Sequence, residues 1–241
     1  MLFRKVRPIL GRIENVARTR LSGLGRSVIR ENLTYLQPRK LRRIEKALRR
    51  VLTDNVPGDV VEFGVALGGS AIVLADIAMR ADRRFYGFDV FAMIPAPISA
   101  NDDVKSKERY RIIASGRSEG IRGDSYYGYR DNLFEEVKQT FARYGLPIDN
   151  GSRFLCKGLF EETLSCYHGT VAFAHIDCDW YDPVKLCLGS ISKKLSKGGI
   201  IVFDDYHDYG GARIAVDEFL AENHQAFEFI DGSNPFLRRT W

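Results

Sequence analysis

Short apolar runs alternate with helix-length stretches along most of this chain, and no other feature limits its fold as strongly. "DVVEFGV" (59–65), "RRFYGFDV" (83–90), "SRFLC" (152–156), "TVAFAHID" (170–177) and "IIVFDD" (200–205) read as strands, and "AFEFI" and "FLRRTW" close the series. Between them, "LGGSAIVLADIAMR", "RDNLFEEVKQTFARYG", "FEETLS", "PVKLCLGSISKKLSKGG" and "GARIAVDEFLAEN" read as helices. Such alternation predicts an α/β fold with a doubly wound, mainly parallel sheet of seven strands and helices on both faces. Upstream, Leu41, Ile44, Leu48, Val51 and Leu52 fall at helical spacing with arginines opposite, so an N-terminal helix should pack on the domain that follows. "DNVPG" then breaks the chain, which divides it into a basic arm and helix over 1–52 and one domain over 53–241. Residues 92–129, broken by prolines and glycines, are expected to be irregular, and a connection that long is usually functional or mobile.

A parallel sheet of this kind takes its ligands outside the carboxyl ends of its strands. Glu62–Gly64, Asp89, Asp177 and Asp204–Asp205 all fall at those ends. Gly64, Gly68 and Gly69 make a tight turn, but their spacing fits neither the dinucleotide fingerprint nor a P-loop. An acid at the end of the second strand, Asp89, suits a ribose diol, because a carboxylate can accept from both hydroxyls. A glycine turn with a ribose acid and no pyrophosphate fingerprint favours a nucleoside ligand such as S-adenosylmethionine over NAD.

Carboxylates crowded together at neutral pH need a cation or raised pKa values. Asp177 and the pair Asp204–Asp205 come from successive strands, and an all-oxygen set with room for water suits Mg²⁺ or another hard divalent ion. The alternative is that these are loop acids capping the helices that follow, as Asp182 before Pro183 is expected to do. His175 and His207 are further candidate bases. Trp180 and Tyr181 could floor an acceptor pocket, and Tyr126, Tyr127 and Tyr129 could form a lid; core packing or solvent-facing loops remain open for both groups.

Charge separates the chain into two parts. Residues 1–50 carry 15 Lys/Arg against Glu14, Glu31 and Glu45, a net of +12, so against a total of +5 the remainder carries −7. An acidic body argues against nucleic acid as a partner. The basic arm suits packing on the body or a second subunit, peripheral contact with an anionic membrane, or targeting. Four cysteines with neither a CxxC pair nor zinc spacing fit reduced core thiols in a cytoplasmic protein.

"VVEFGVALGGSA", "FYGFDVF", "CKGLFEETL", "HIDCDWYDP" and "GGIIVFDDYHDYGGARIAVDEF" resemble the macrocin O-methyltransferase family, from about Leu33 to the C-terminus. The resemblance implies a class I methyltransferase (Rossmann-like) fold, S-adenosylmethionine as donor, Mg²⁺, a homodimer and a small-molecule hydroxyl acceptor, a sugar or a phenol. Carried over residue by residue, it implies Asp177, Asp204 and Asp205 as metal ligands and Asp179 as general base. It places Glu62, Gly64 and Ser70 on the methionine side of the cofactor, with Asp177 beside it, Asp89 on the ribose, and Gly158 and Phe160 at the adenine. The chain departs from the family where "GVALGG" replaces "GVWRGG" and "DVF" replaces Asp-Ser/Thr-Phe. Two alternatives remain: a methyltransferase that uses no metal, and a methyltransferase-fold binding protein without turnover.

Overall fold

The computed structural model describes residues 20–241; residues 1–19 of the basic arm therefore lie outside the described residues. Among them, seven strands form one sheet. They are β1 (Asp59–Phe63), β2 (Phe85–Asp89), β3 (Arg153–Lys157), β4 (Val171–Ile176), β5 (Leu195–Phe203), β6 (Phe227–Ile230) and β7 (Phe236–Arg239). Their order is β3-β2-β1-β4-β5-β7-β6. The first five are parallel, and β7 runs antiparallel between β5 and β6. The doubly wound sheet expected from the alternation is present. Every residue of β1 and β4 is buried, which is why these strands read as mainly apolar runs, broken only by Asp59, Glu62 and His175, rather than as alternating ones.

One face is covered by α1 (Gly23–Arg30), α2 (Pro38–Thr53) and α3 (Gly69–Met79). On the other lie α6 (Phe160–Thr163), α7 (Tyr181–Ser192) and α8 (Gly210–Asn223). Helix α5 (Leu133–Arg143) adds Leu133, Val137 and Phe141 to the first core. In α2, Leu41, Ile44, Leu48 and Val51 are buried, as their spacing predicts, and Pro38 occupies the first turn, where its missing N–H costs nothing.

Three expectations are corrected. The segment 92–129 is not all irregular: it holds α4 (Val104–Ala114), N-capped by Asp103, whose Oδ1 accepts from Ser106 N at 2.8 Å. Only Ser106 and Ile113 of α4 are buried, so the helix carries no apolar stripe that its sequence could display. The segment "KLSKGG" is not helical either. Helix α7 stops at Ser192 and β5 begins at Leu195; Val171 pairs with Leu195 but Phe173 with Ile200, a register slip that takes up the glycines. Finally, Asp182 does not cap α7. Tyr181 N–H donates instead to Asp102 Oδ1, 79 residues upstream, at 2.9 Å.

Candidate active site

The sheet delivers its functional residues at one edge because the parallel ladder continues just past the strands. Gly64 N–H donates to Phe88 O, Asp177 N–H to Phe63 O and Asp204 N–H to Ile176 O, each at 2.9–3.0 Å. β1 and β4 come very close here. Gly64 has φ +90°, and a Cβ on it would lie 1.8 Å from Asp177 O, so the site tolerates no side chain at this position.

Two cavities open on this edge. The first, about 360 Å³, is lined by Gly64, Asp89, Gly158, Phe160 and Asp177 together with the apolar run Ile94–Ile98. The second, about 290 Å³, is lined by Asp177, Asp179, Asp204, Asp205 and Asp208, with Lys105 and Arg109 from α4 and an aromatic wall that includes Tyr35, Tyr126 and Tyr209. Gly64, Asp89, Tyr127, Asp177, Asp179 and Trp180 border both, so the cavities are two lobes of one cleft that meet at Asp177 and Asp179.

In the first lobe, Asp89 accepts three backbone N–H groups. Its Oδ2 takes Val65 (2.7 Å) and Ala66 (2.9 Å), and its Oδ1 takes Phe91 (2.6 Å). The carboxylate therefore fastens the glycine turn to the end of β2. Burial pushes its pKa up, while the three amides pull the other way. Gly158 N–H donates to Asp89 O at 3.0 Å, and the Phe160 ring stands edge-on to Phe63 at 5.7 Å. Glu62 and Ser70 border neither lobe. Glu62 is wholly buried, and its Oε1 lies 2.8 Å from His175 Nδ1 on the adjacent strand.

In the second lobe, carboxylate oxygens of Asp177, Asp204 and Asp205 lie within 4.8 Å of one another. Burial, and then the charges of neighbouring acids (Asp204 foremost on Asp177, Asp179 on Asp205), push Asp177 and Asp205 well above the usual carboxylate range. Asp179 does not continue the extended strand, as residues two apart on one face would require. It sits in the left-handed region (φ +61°), and its N–H donates to Asp205 Oδ2 at 2.9 Å. That turn still brings it beside Asp177. Burial and the nearby Asp204 push its carboxyl up to about 7.

Neither candidate histidine borders the cleft. His175 lies beneath it, and His207 is on the outer surface near Asp231 and Gly232. Trp180 does reach the cleft, and its Nε1–H ties Pro95 O at 3.0 Å; Tyr181 points away, its OH donating to Glu218. Tyr126 and Tyr127 wall the second lobe, whereas Tyr129 accepts from Ser118 N and donates to Ile113 O, holding the end of α4. Sequence reasoning missed Lys40, Lys105 and Arg109, and it saw Asp208 among the acids after β5 without giving it a role. Lys40 had a readable signal, since it lies four residues before Ile44 on the buried stripe of α2. Its Nζ donates to Asp204 O and Asp204 Oδ2, both at 2.9 Å, and to Asp208 Oδ2 at 2.7 Å.

Residues 12–239 match the family described as Macrocin-O-methyltransferase (TylF). The chain belongs to this family. It is 31% identical over 221 residues to the 8-demethyl-8-(2,3-dimethoxy-alpha-L-rhamnosyl)-tetracenomycin-C 4'-O-methyltransferase of Streptomyces olivaceus, covering 86% of this chain and 76% of that protein. The demethyldecarbamoylnovobiocin O-methyltransferase of Streptomyces niveus is 31% identical over 214 residues, again covering 86% of this chain and 76% of the relative. Among solved structures, the O-methyltransferase NovP superposes with a TM-score of 0.71 at 28% identity, covering 87% of this chain and 83% of that one. This family member is an S-adenosylmethionine-dependent O-methyltransferase with the class I fold. Among the described residues, no helix is long and apolar enough to cross a membrane.

Proposed function

We propose that the enzyme methylates a hydroxyl of a sugar or a related small-molecule diol, with Asp179 as general base and a divalent cation, Mg²⁺ by preference, held by Asp177, Asp204 and Asp205. The observation that carries this reading is the meeting of the two lobes at Asp177 and Asp179. A donor in the first and an acceptor in the second face the same pair of carboxylates. The relative that acts, by its name, on the 4' position of a rhamnosyl-tetracenomycin supports a sugar hydroxyl as acceptor.

The residues present fit both absent groups. For the cation, the donors are all oxygen, and Asp204 Oδ1 is buried without a partner. Six carboxylates line the second lobe, Asp89 among them, and Lys40, Lys105 and Arg109 lie in or against it, a formal sum of −3 that a divalent ion would largely offset. For the nucleoside, the first lobe has the volume and apolar lining typical of ligand pockets. When bound, the cation supplies Lewis acidity that lowers the acceptor hydroxyl's pKa, and the sulfonium supplies an activated methyl group.

Asp179 then takes the hydroxyl proton. A carboxylate poised near 7 is matched to proton transfer at neutral pH, and its anchored amide holds it in place. Trp180, Tyr127 and Tyr209 wall the junction and limit water around the reacting atoms. On the donor side, Gly64 and Asp177 border the methionine portion, and Gly158 and Phe160 flank the adenine. Asp89 has lone-pair capacity left after its three amides, enough to accept a ribose hydroxyl. From beneath, Glu62 and Ser70 support the turn without touching the ligand.

The test incubates the enzyme and S-adenosylmethionine with a panel of rhamnosides and a catechol, following S-adenosylhomocysteine release with and without chelator. Transfer to a rhamnoside that stops in chelator and returns with Mg²⁺ is expected. A rate indifferent to chelator would remove the cation from the mechanism, and transfer to the catechol alone would remove the sugar.

A further inference from the structure

We propose that Lys40 sets which cation the acid cluster accepts, by withholding oxygens that a larger ion would use; this rests on the reading that the cluster holds a divalent ion. An ammonium has three N–H donors. Lys40 spends all three on Asp204 O, Asp204 Oδ2 and Asp208 Oδ2. An oxygen that already faces an ammonium is a poor cation ligand, because the two positive charges would then face each other. On Asp205, Oδ2 accepts Asp179 N–H, which turns that oxygen partly toward the backbone and leaves Oδ1 as the freer atom. The cluster is thus left with Oδ1 of Asp204 and Oδ1 of Asp205, with Asp177 beside them. Ca²⁺ takes six to eight oxygens and readily uses both atoms of a carboxylate, whereas Mg²⁺ binds through few carboxylates and keeps several waters. Single oxygens from each acid suit the smaller ion.

The position of Lys40 is built into the fold. The residue is only 6% exposed. Its helix is seated by Leu41, Ile44 and Leu48 in the core and by Arg43, which donates to the carbonyls of Ile230, Asp231 and Asn234. Asn234 Nδ2 in turn donates to Lys40 O at 3.3 Å. The ammonium therefore cannot swing away to release Asp208, whose side chain is half exposed and lines the same lobe. Lys40 is a positioning residue that acts through Asp204 and Asp208 and touches neither donor nor acceptor.

The experiment reads Mn²⁺ bound to the full chain by electron paramagnetic resonance and titrates it with Mg²⁺ and Ca²⁺. In the wild type, Mg²⁺ is expected to displace Mn²⁺ well and Ca²⁺ poorly. Lys40→Met frees Asp204 Oδ2 and Asp208 Oδ2 and should shift the competition toward Ca²⁺ by about tenfold; an unchanged ratio overturns the proposal. Asp208→Asn provides a test that leaves α2 untouched and decides alone if Lys40→Met does not fold. With Asp208 already held by Lys40, this variant should change Mn²⁺ affinity by less than about twofold, whereas a loss of about tenfold would make Asp208 a ligand and overturn the proposal. A wild type that binds no Mn²⁺ at all fails the cation reading itself, and this inference falls with it.

Discussion

Asp89 and Asp204 sit at the ends of two parallel strands of one sheet, and they are held in opposite ways. Asp89 accepts three backbone amides, so the donor lobe is fixed by the fold alone. Asp204 has an ammonium on one oxygen and nothing on the other, beside Asp177, Asp179 and Asp205, whose pKa values run high because burial and neighbouring acids disfavour their charge. The carboxylate of the first lobe is satisfied by amides, whereas the second lobe holds more carboxylates than cations, which suits the proposed donor and acceptor sides. Amide dipoles can hold a single carboxylate in a low-dielectric site, but a group of them needs a cation or must keep protons.

The largest effect should fall on the junction. Asp179→Asn is expected to lower kcat by about 10²–10⁴-fold, the span for a lost general base. S-adenosylhomocysteine affinity, measured by calorimetry, should stay the same. Equal losses in both quantities would break the division between the lobes.

Next in size is the pH dependence of stability. Asp179 titrates near 3.8 when unfolded and about 7 when folded. The folded state therefore favours its protonated form, and that stabilisation is present below about pH 4 and lost as pH rises through about 7. Asp177 and Asp205 shift in the same direction. In chelator, the melting temperature should drop between pH 5 and 8, reflecting a few kcal/mol, and Mg²⁺ should restore most of it at pH 8. A flat profile would mean that the acceptor lobe is as self-sufficient as the donor lobe.

Asp89→Ala comes third. It leaves the amides of Val65, Ala66 and Phe91 without their acceptor and should weaken S-adenosylhomocysteine binding by about 2 kcal/mol. Mn²⁺ affinity should hardly change, so this variant sharpens the contrast from the opposite side. The smallest effect is expected for Asp204→Asn, which should raise the Mg²⁺ needed for half-maximal rate by about tenfold and leave donor binding intact by calorimetry.

How much of this was legible depended on where each residue stands relative to the strands. Asp89, Asp177, Asp204 and Asp205 follow apolar runs directly, so strand periodicity alone carried them to one edge. The glycine turn could be read for the same reason. Glu62 could be placed at the edge but not on its correct side, because its depth is set by His175 on a strand more than a hundred residues later. Arg109 and Lys105 were hidden by α4, a helix with almost no buried face. Lys40 stood among so many arginines that its place on the buried stripe of α2 was masked by composition.

The paired acids of the long connection have a consequence for how such an enzyme can diversify. Asp102 Oδ1 holds the first turn of α7, and Asp103 Oδ2 accepts Gly210 N at the start of α8, so two adjacent residues anchor three helices. Gly211 is confined to glycine by the same clasp, since a Cβ there would lie 2.2 Å from Asp102 Oδ1. A second anchor, the bond from Trp180 to Pro95 O, lies just upstream. Between the anchors, residues 96–101 form a short span at the rim of the cleft, with Ile98 84% exposed. A change in the length or sequence of this span would reshape the entrance while both anchors, and the acids behind them, kept their places.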